Sequence, residues 1–130
     1  PAMRVDVLRR VRQTAENIAE AAGATATVTI TDGYPVTMND PDLTARMAPT
    51  LERVAGKGKA RVVPPVMPSE DFSYYAQKVP GLYFMLYVTP PGQDPATAPA
   101  NHSPSYNVDE GALPVGTRAL ASLAVDFLMK

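Results

Sequence analysis

Apolar residues near the start of the chain recur in steps of three and four: Val5, Leu8, Val11, Ala15, Ile18, Ala19 and Ala22. Arg9, Arg12, Glu16 and Glu20 lie opposite, so the pattern predicts an amphipathic helix over residues 3–22, stopped by Gly23. The period then changes to two. Ala26, Val28 and Ile30 alternate with Thr25, Thr27, Thr29 and Thr31, as in a strand with one buried and one wet face. Such a pair fits a helix packed on an antiparallel sheet that is open to water on its other side.

Asp32-Gly33-Tyr34-Pro35 is a turn signal, and the pattern changes beyond it. Asp40 is placed to cap a helix that runs to about Ala55, with Pro41 suited to its first position. Leu43, Met47, Leu51 and Val54 make its apolar stripe, and Pro49 inside it should remove a hydrogen bond and bend the axis. Residues 60–63 are a short strand candidate, ending at Pro64-Pro65. Residues 82–88, Leu-Tyr-Phe-Met-Leu-Tyr-Val, have no polar break and predict a strand covered on both faces. A proline-rich loop over residues 90–104 follows, too long for a minimal connection; such loops inside compact domains are usually binding loops or disordered. The final helix, from about Pro114 to Met129, carries Val115, Ala119, Leu120, Leu123, Phe127 and Leu128 on one face, and there are no internal repeats.

Composition narrows the function classes. Twelve basic and thirteen acidic residues give a net charge of -1, so there is no electrostatic footprint for nucleic acid or an anionic membrane. The cluster Arg4, Arg9, Arg10 and Arg12 reads as the solvated face of the first helix. No apolar run approaches the roughly 20 residues that a spanning helix needs. The absence of cysteine excludes a disulfide scaffold and fits either cytoplasm or periplasm. The chain opens at Pro1 and runs straight into a helix, which suggests the middle of a longer polypeptide.

Two segments can carry chemistry. His102, the single histidine, sits in Asn101-His102-Ser103-Pro104, with Asp109-Glu110-Gly111 a few residues on. It reads either as a loop histidine satisfied by water or backbone, or as a metal ligand stiffened by the following proline. With no second histidine and no cysteine, the remaining donors of any zinc site would lie outside these 130 residues. The other segment is Ser69-Glu70-Asp71-Phe72-Ser73-Tyr74-Tyr75. Ser69 is either a plain helix cap, with Glu70 and Asp71 facing the helix dipole, or part of a helix start that offers hydroxyl and carboxylate to a pocket.

The strings SEDFSYYAQKVPG (residues 69–81) and NHSP followed by VDEGALPVG (residues 101–116) together resemble the C-terminal part of the metal-dependent amidohydrolases. That group includes hippurate hydrolase, aminoacylases and auxin-conjugate hydrolases, with carboxypeptidase G and succinyl-diaminopimelate desuccinylase as relatives. GATATVTITDGYPVTMNDP is similar to the family's return from its inserted domain, so the resemblance covers nearly the whole chain. It implies an α/β, zinc-peptidase-like catalytic domain interrupted by an α+β, ferredoxin-like lid or dimerisation domain. Residues 1–33 would be the end of that insert, and residues 34–130 the C-terminal portion of the catalytic domain.

By the same resemblance His102 occupies the place of one metal ligand, and Ser69 and Glu70 are candidate substrate-pocket positions. The implied cofactor is a pair of divalent ions (zinc, manganese or cobalt), whose other ligands and whose general-base glutamate come from N-terminal segments not present here. The implied reaction is hydrolysis of the amide bond in small, hippurate-like N-acyl amino acids or related peptides, by a homodimer joined through the lid. This chain alone would be inactive. It departs from the family pattern at Tyr87, where glycine is frequent, and at Ser105-Tyr106-Asn107, where phenylalanine is common, which bears on the shape of the acyl pocket. The competing expectation is a non-enzymatic α+β interaction module that presents Tyr34, Tyr74, Tyr75 or Tyr106 to a partner.

Overall fold

A computed structural model describes residues 2–66 and 69–129. The chain divides into two compact units, one ending at Gly33 and the other beginning at Tyr34.

In the first unit, α1 (Ala2–Ala21) carries the expected helical pattern. Arg9 and Arg10 both reach back to Asp6 at 2.7 Å, three- and four-residue pairings on the solvent side of the helix. Gly23, at φ 70°, ends it: its N–H donates to the Glu20 carbonyl at 2.9 Å and that of Ala24 to Ala19 at 2.8 Å, the paired closure of a Schellman motif. The segment 25–31 is extended, with Ala26, Val28 and Ile30 half-buried and the threonines exposed. Leu8, Ala15 and Ala19 are the half-buried apolar residues of the helix, whereas Val11 and Ile18 of the expected stripe stay 51% and 66% exposed. A helix about 10 Å across is wider than one extended segment, which occupies about 4.8 Å. Arg4 and Asp32 close the unit with a 3.1 Å ion pair.

The second unit is built on α2 (Pro41–Ala55) and α4 (Leu113–Leu128), which pack against each other. Asp40 caps α2 as its sequence suggests, its carboxylate accepting from the Leu43 N–H at 2.8 Å, and the helix continues through Pro49. Met47 on α2 and Ala119 on α4 are the buried apolar positions, with Leu43, Leu51, Val54, Val115 and Leu123 half-buried around them. Leu120, Phe127 and Leu128, expected on the inner face of α4, are exposed. Polar links tie the two helices together. Asp126 accepts from the buried Thr50 hydroxyl at 2.5 Å and from Arg53 at 2.7 Å, while Arg46 donates to the Phe127 carbonyl at 2.7 Å and lies 4.7 Å over its ring. The stretch Glu110–Leu128, 19 residues at mean hydropathy 1.2, is long and apolar enough to cross a membrane, which the sequence reading overlooked; here it packs on α2.

Three segments expected as strands form no ladder among the described residues. Residues 60–63 are exposed, Val62 completely so. Residues 25–31 and 82–88 keep the side-chain alternation of strands without a partner. Alternation is written into one segment, whereas a ladder needs a second backbone alongside. Residues 82–88 are also not covered on both faces: Leu82, Phe84, Leu86 and Val88 turn inward, and Tyr83, Met85 and Tyr87 are exposed. This segment is held close to α4 at Gly116, where a Cβ would stand 2.8 Å from Leu86 Cδ2.

Candidate functional site

The Asn39 side chain fastens the extended segment in the way a neighbouring strand would: its Nδ2 donates to the Tyr83 carbonyl at 2.8 Å and its Oδ1 accepts from the Tyr83 N–H at 2.7 Å. The Asp40 N–H donates to the Gly81 carbonyl at 2.9 Å, and the Asp109 N–H to the Val88 carbonyl at 2.7 Å. Both ends of the segment are thereby pinned. Among the described residues, the backbone groups of residues 84–87 have no such partners.

The short helix α3 (Phe72–Ala76) begins three residues later than Ser69, so Ser69 is not its cap. Asp71 stands at the cap position but its side chain makes no capping bond. Glu70 does the work: its carboxylate accepts from the Phe72 N–H at 3.2 Å and from the Tyr83 hydroxyl at 2.9 Å. The Phe72 N–H and then the Tyr83 hydroxyl stabilise the anion and hold the Glu70 carboxyl below its ordinary range. The same bond raises the Tyr83 phenol above its ordinary value, because ionisation would set two negative charges together and lose the donor proton. The Phe72 ring packs 5.6 Å from that of Tyr83 and 6.4 Å from that of Tyr75. Gly81 admits the Phe72 ring, since a Cβ there would lie 3.1 Å from it. The Ser73 hydroxyl is fully buried and unpartnered among the described residues.

His102 lies elsewhere in this unit, exposed near the end of a loop folded as successive turns. Its φ is 71°, a left-handed backbone that histidine adopts uncommonly. The turn is closed by the Ser103 N–H, which donates to the Ala100 carbonyl at 3.1 Å. Asp109 does not serve the imidazole: its carboxylate accepts from the Gly111 N–H at 2.9 Å and caps the 3₁₀ turn Glu110–Ala112 ahead of α4. An exposed imidazole without a hydrogen-bond partner among the described residues fits one donor to a divalent metal. These residues do not by themselves fit a complete site. Among them no three His, Cys, Asp or Glu side chains gather to hold an ion, and a hydrolytic zinc needs about three protein donors.

Sequence reasoning singled out His102 and Glu70 as candidates and gave no sign of Tyr83 or Asn39, whose hydrogen bonds join residues 13 and 44 positions apart. An open cleft of about 390 Å³ lies between Met38-Asn39-Asp40-Pro41 and residues 76–80. Neither Ser69, Glu70 nor His102 lines it.

Comparison with known proteins assigns the class of this chain. Residues 5–126 match the model of Peptidase family M20/M25/M40, and the chain belongs to that family, whose members are hydrolases that generally bind divalent metals. It is 34% identical over 126 residues to thermostable carboxypeptidase 2 of Saccharolobus solfataricus, covering 96% of this chain and 30% of that protein. To an IAA-amino acid hydrolase of Arabidopsis thaliana it is 33% identical over 125 residues, covering 92% of this chain and 28% of the relative. Thermostable carboxypeptidase 1 of Saccharolobus solfataricus is 35% identical over 126 residues, with 96% and 30% covered. The chain thus spans under a third of the length of these curated relatives. No solved structure matches it.

Proposed function

We propose that this chain is the C-terminal part of a metal-dependent amidohydrolase, and that the whole polypeptide cleaves the amide bond of small N-acyl amino acids, hippurate-like compounds or related peptides. Residues 34–130 are then part of an α/β catalytic domain, and residues 1–33 the end of an α+β, ferredoxin-like lid through which two copies pair. The family match over residues 5–126 supports this reading, as do relatives named for carboxypeptidase and IAA-amino acid hydrolase activity. The unpaired, alternating segments 25–31 and 82–88 support it as well, since unsatisfied strand backbone seeks a neighbour.

The observation that carries the site is His102, an exposed imidazole presented on a left-handed turn. It serves as one nitrogen donor to one of two divalent ions, zinc, manganese or cobalt. The other donors and the general base belong to the rest of the polypeptide. Glu70, already engaged by Phe72 and Tyr83, acts by holding the start of α3 rather than by touching substrate; Ser69, exposed just ahead of it, stays the pocket candidate.

Metal analysis and hydrolysis of hippurate and indoleacetyl-amino acids, with this chain alone and with the full-length polypeptide, test the reading. The chain alone is expected to turn over nothing, and the full-length protein to hydrolyse at least one of these amides with metal bound. Robust turnover by the 130-residue chain alone would overturn it.

A further inference from the structure

Asp32-Gly33 is the one place in the sequence where an aspartate precedes a glycine, and no asparagine precedes one. The Asp32 side chain is 85% exposed, and both residues lie outside any helix. The Gly33 N–H has no hydrogen-bond acceptor among the described residues, and a Cβ built on Gly33 would meet nothing within 4 Å. A free backbone nitrogen with open space around it thus follows a carboxyl group. The other aspartates are withheld from this juxtaposition. Pro41 and Pro95 follow Asp40 and Asp94 and carry no N–H. The N–H groups after Asp42 and Asp71 donate to carboxylates, and Asp6 and Asp126 lie within helices, whose ladders occupy the next N–H. The Asp109 carboxylate is taken by the Gly111 N–H.

We propose that Asp32-Gly33 is a site of spontaneous isoaspartate formation, and that Arg4 restrains its rate. The Gly33 amide nitrogen attacks Cγ of the Asp32 carboxylic acid. The N–Cγ bond forms, the bond from Cγ to the hydroxyl breaks, and the hydroxyl leaves as water with the amide proton. Glycine favours the step because no side chain stands beside the attacking nitrogen. Water then opens the cyclic imide at either carbonyl. Opening at Cγ restores aspartate; opening at the main-chain carbonyl leaves a backbone that runs through Cβ and Cγ, one methylene longer, with the carboxylate directly on Cα. Arg4 opposes the first step from 28 positions away in sequence. Its Nη2 lies 3.1 Å from Asp32 Oδ1, and ring closure replaces that charged partner with a neutral imide. Losing an exposed ion pair of this kind slows the step by about two- to fivefold. The product in turn shifts the carboxylate that Arg4 reaches, at the end of the extended segment 25–31.

The test ages the full-length polypeptide at neutral pH and physiological temperature in water enriched in heavy oxygen, then maps its peptides by mass spectrometry. Each cycle of ring closure and opening leaves a heavy oxygen at Asp32, and methyl transfer by an isoaspartate methyltransferase counts the rearranged product. Both signals should accumulate in the peptide that holds Asp32 and stay near background at the other aspartates of this chain. Gly33→Val should slow them at least tenfold by crowding the nitrogen. Arg4→Gln should quicken them about two- to fivefold in the folded protein and leave the rate in urea unchanged, since the pair exists only in the fold. Absence of both signals at Asp32 would overturn the site, as would an undiminished rate in Gly33→Val. Equal folded-state rates for Arg4→Gln and the natural sequence would overturn the part assigned to Arg4.

Discussion

Tyr83 donates its phenolic proton to the Glu70 carboxylate across 2.9 Å, joining the segment before α3 to the extended segment behind the Phe72 ring. Both pKa values move in the direction that preserves the bond. Glu70, with its folded-state pKa lowered, contributes stability that is present above its unfolded value near 4.5 and is lost as pH falls through the lower folded value. Tyr83, with its value raised, contributes stability present below its unfolded value near 10.0 and lost as pH rises through the higher folded one.

It follows that Tyr83→Phe should lower the melting temperature at neutral pH and that this difference should vanish in acid, once Glu70 is protonated. Melting curves of both proteins between about pH 3 and 8 check it. A difference that persists unchanged below the carboxylate range would show that the loss comes from ring packing on Phe72 and not from the bond.

Gly116 should behave unusually for a glycine in a helix. Alanine there gains roughly 1 kcal/mol of helix propensity, yet its Cβ would stand 2.8 Å from Leu86 Cδ2. Gly116→Ala is therefore expected to be neutral or destabilising in the natural background and stabilising once Leu86→Ala has opened the space. Urea midpoints of the two singles and the double give the sign directly, and a stabilising Gly116→Ala single would show that Leu86 yields freely.

Asp126 holds α2 to α4, and its loss leaves a buried hydroxyl on Thr50 without its acceptor. Asp126→Ala should cost about 1–3 kcal/mol, the usual penalty for stranding a buried polar group. Thr50→Val in the same background should recover part of that. A double-mutant cycle in chemical unfolding that shows no coupling would contradict the assignment.

For His102 the expectation separates metal from stability. His102→Ala in the full-length polypeptide should lower metal content and amide hydrolysis while leaving the melting temperature of the metal-free protein nearly as it was, because His102 is exposed. Stripping metal from the natural protein with a chelator should bring its melting temperature down to that of the variant, since an ion bound only by the folded state stabilises it by mass action. Full metal stoichiometry in the variant would return His102 to a plain loop histidine.

Local rules made much of this chain legible before any coordinates. Asp40 as cap, Pro41 at the first helical position, Gly23 as the stop and the Met47 stripe of α2 all follow from short-range sterics and periodicity, and each stands as expected, whereas only Val115, Ala119 and Leu123 of the α4 stripe turn inward. The family strings singled out His102 in the same way, since a motif is carried by neighbouring residues. What only tertiary structure decided is what lies across from each element. The Glu70–Tyr83 bond, the Asn39 clamp on the Tyr83 backbone and the left-handed turn under His102 depend on how distant segments meet or on dihedral angles that residue type only biases. The strands mark the same boundary. Alternation in 25–31 and 82–88 states which side chains share a face, but a strand is completed by hydrogen bonds to another backbone, and no run of residues carries its own partner.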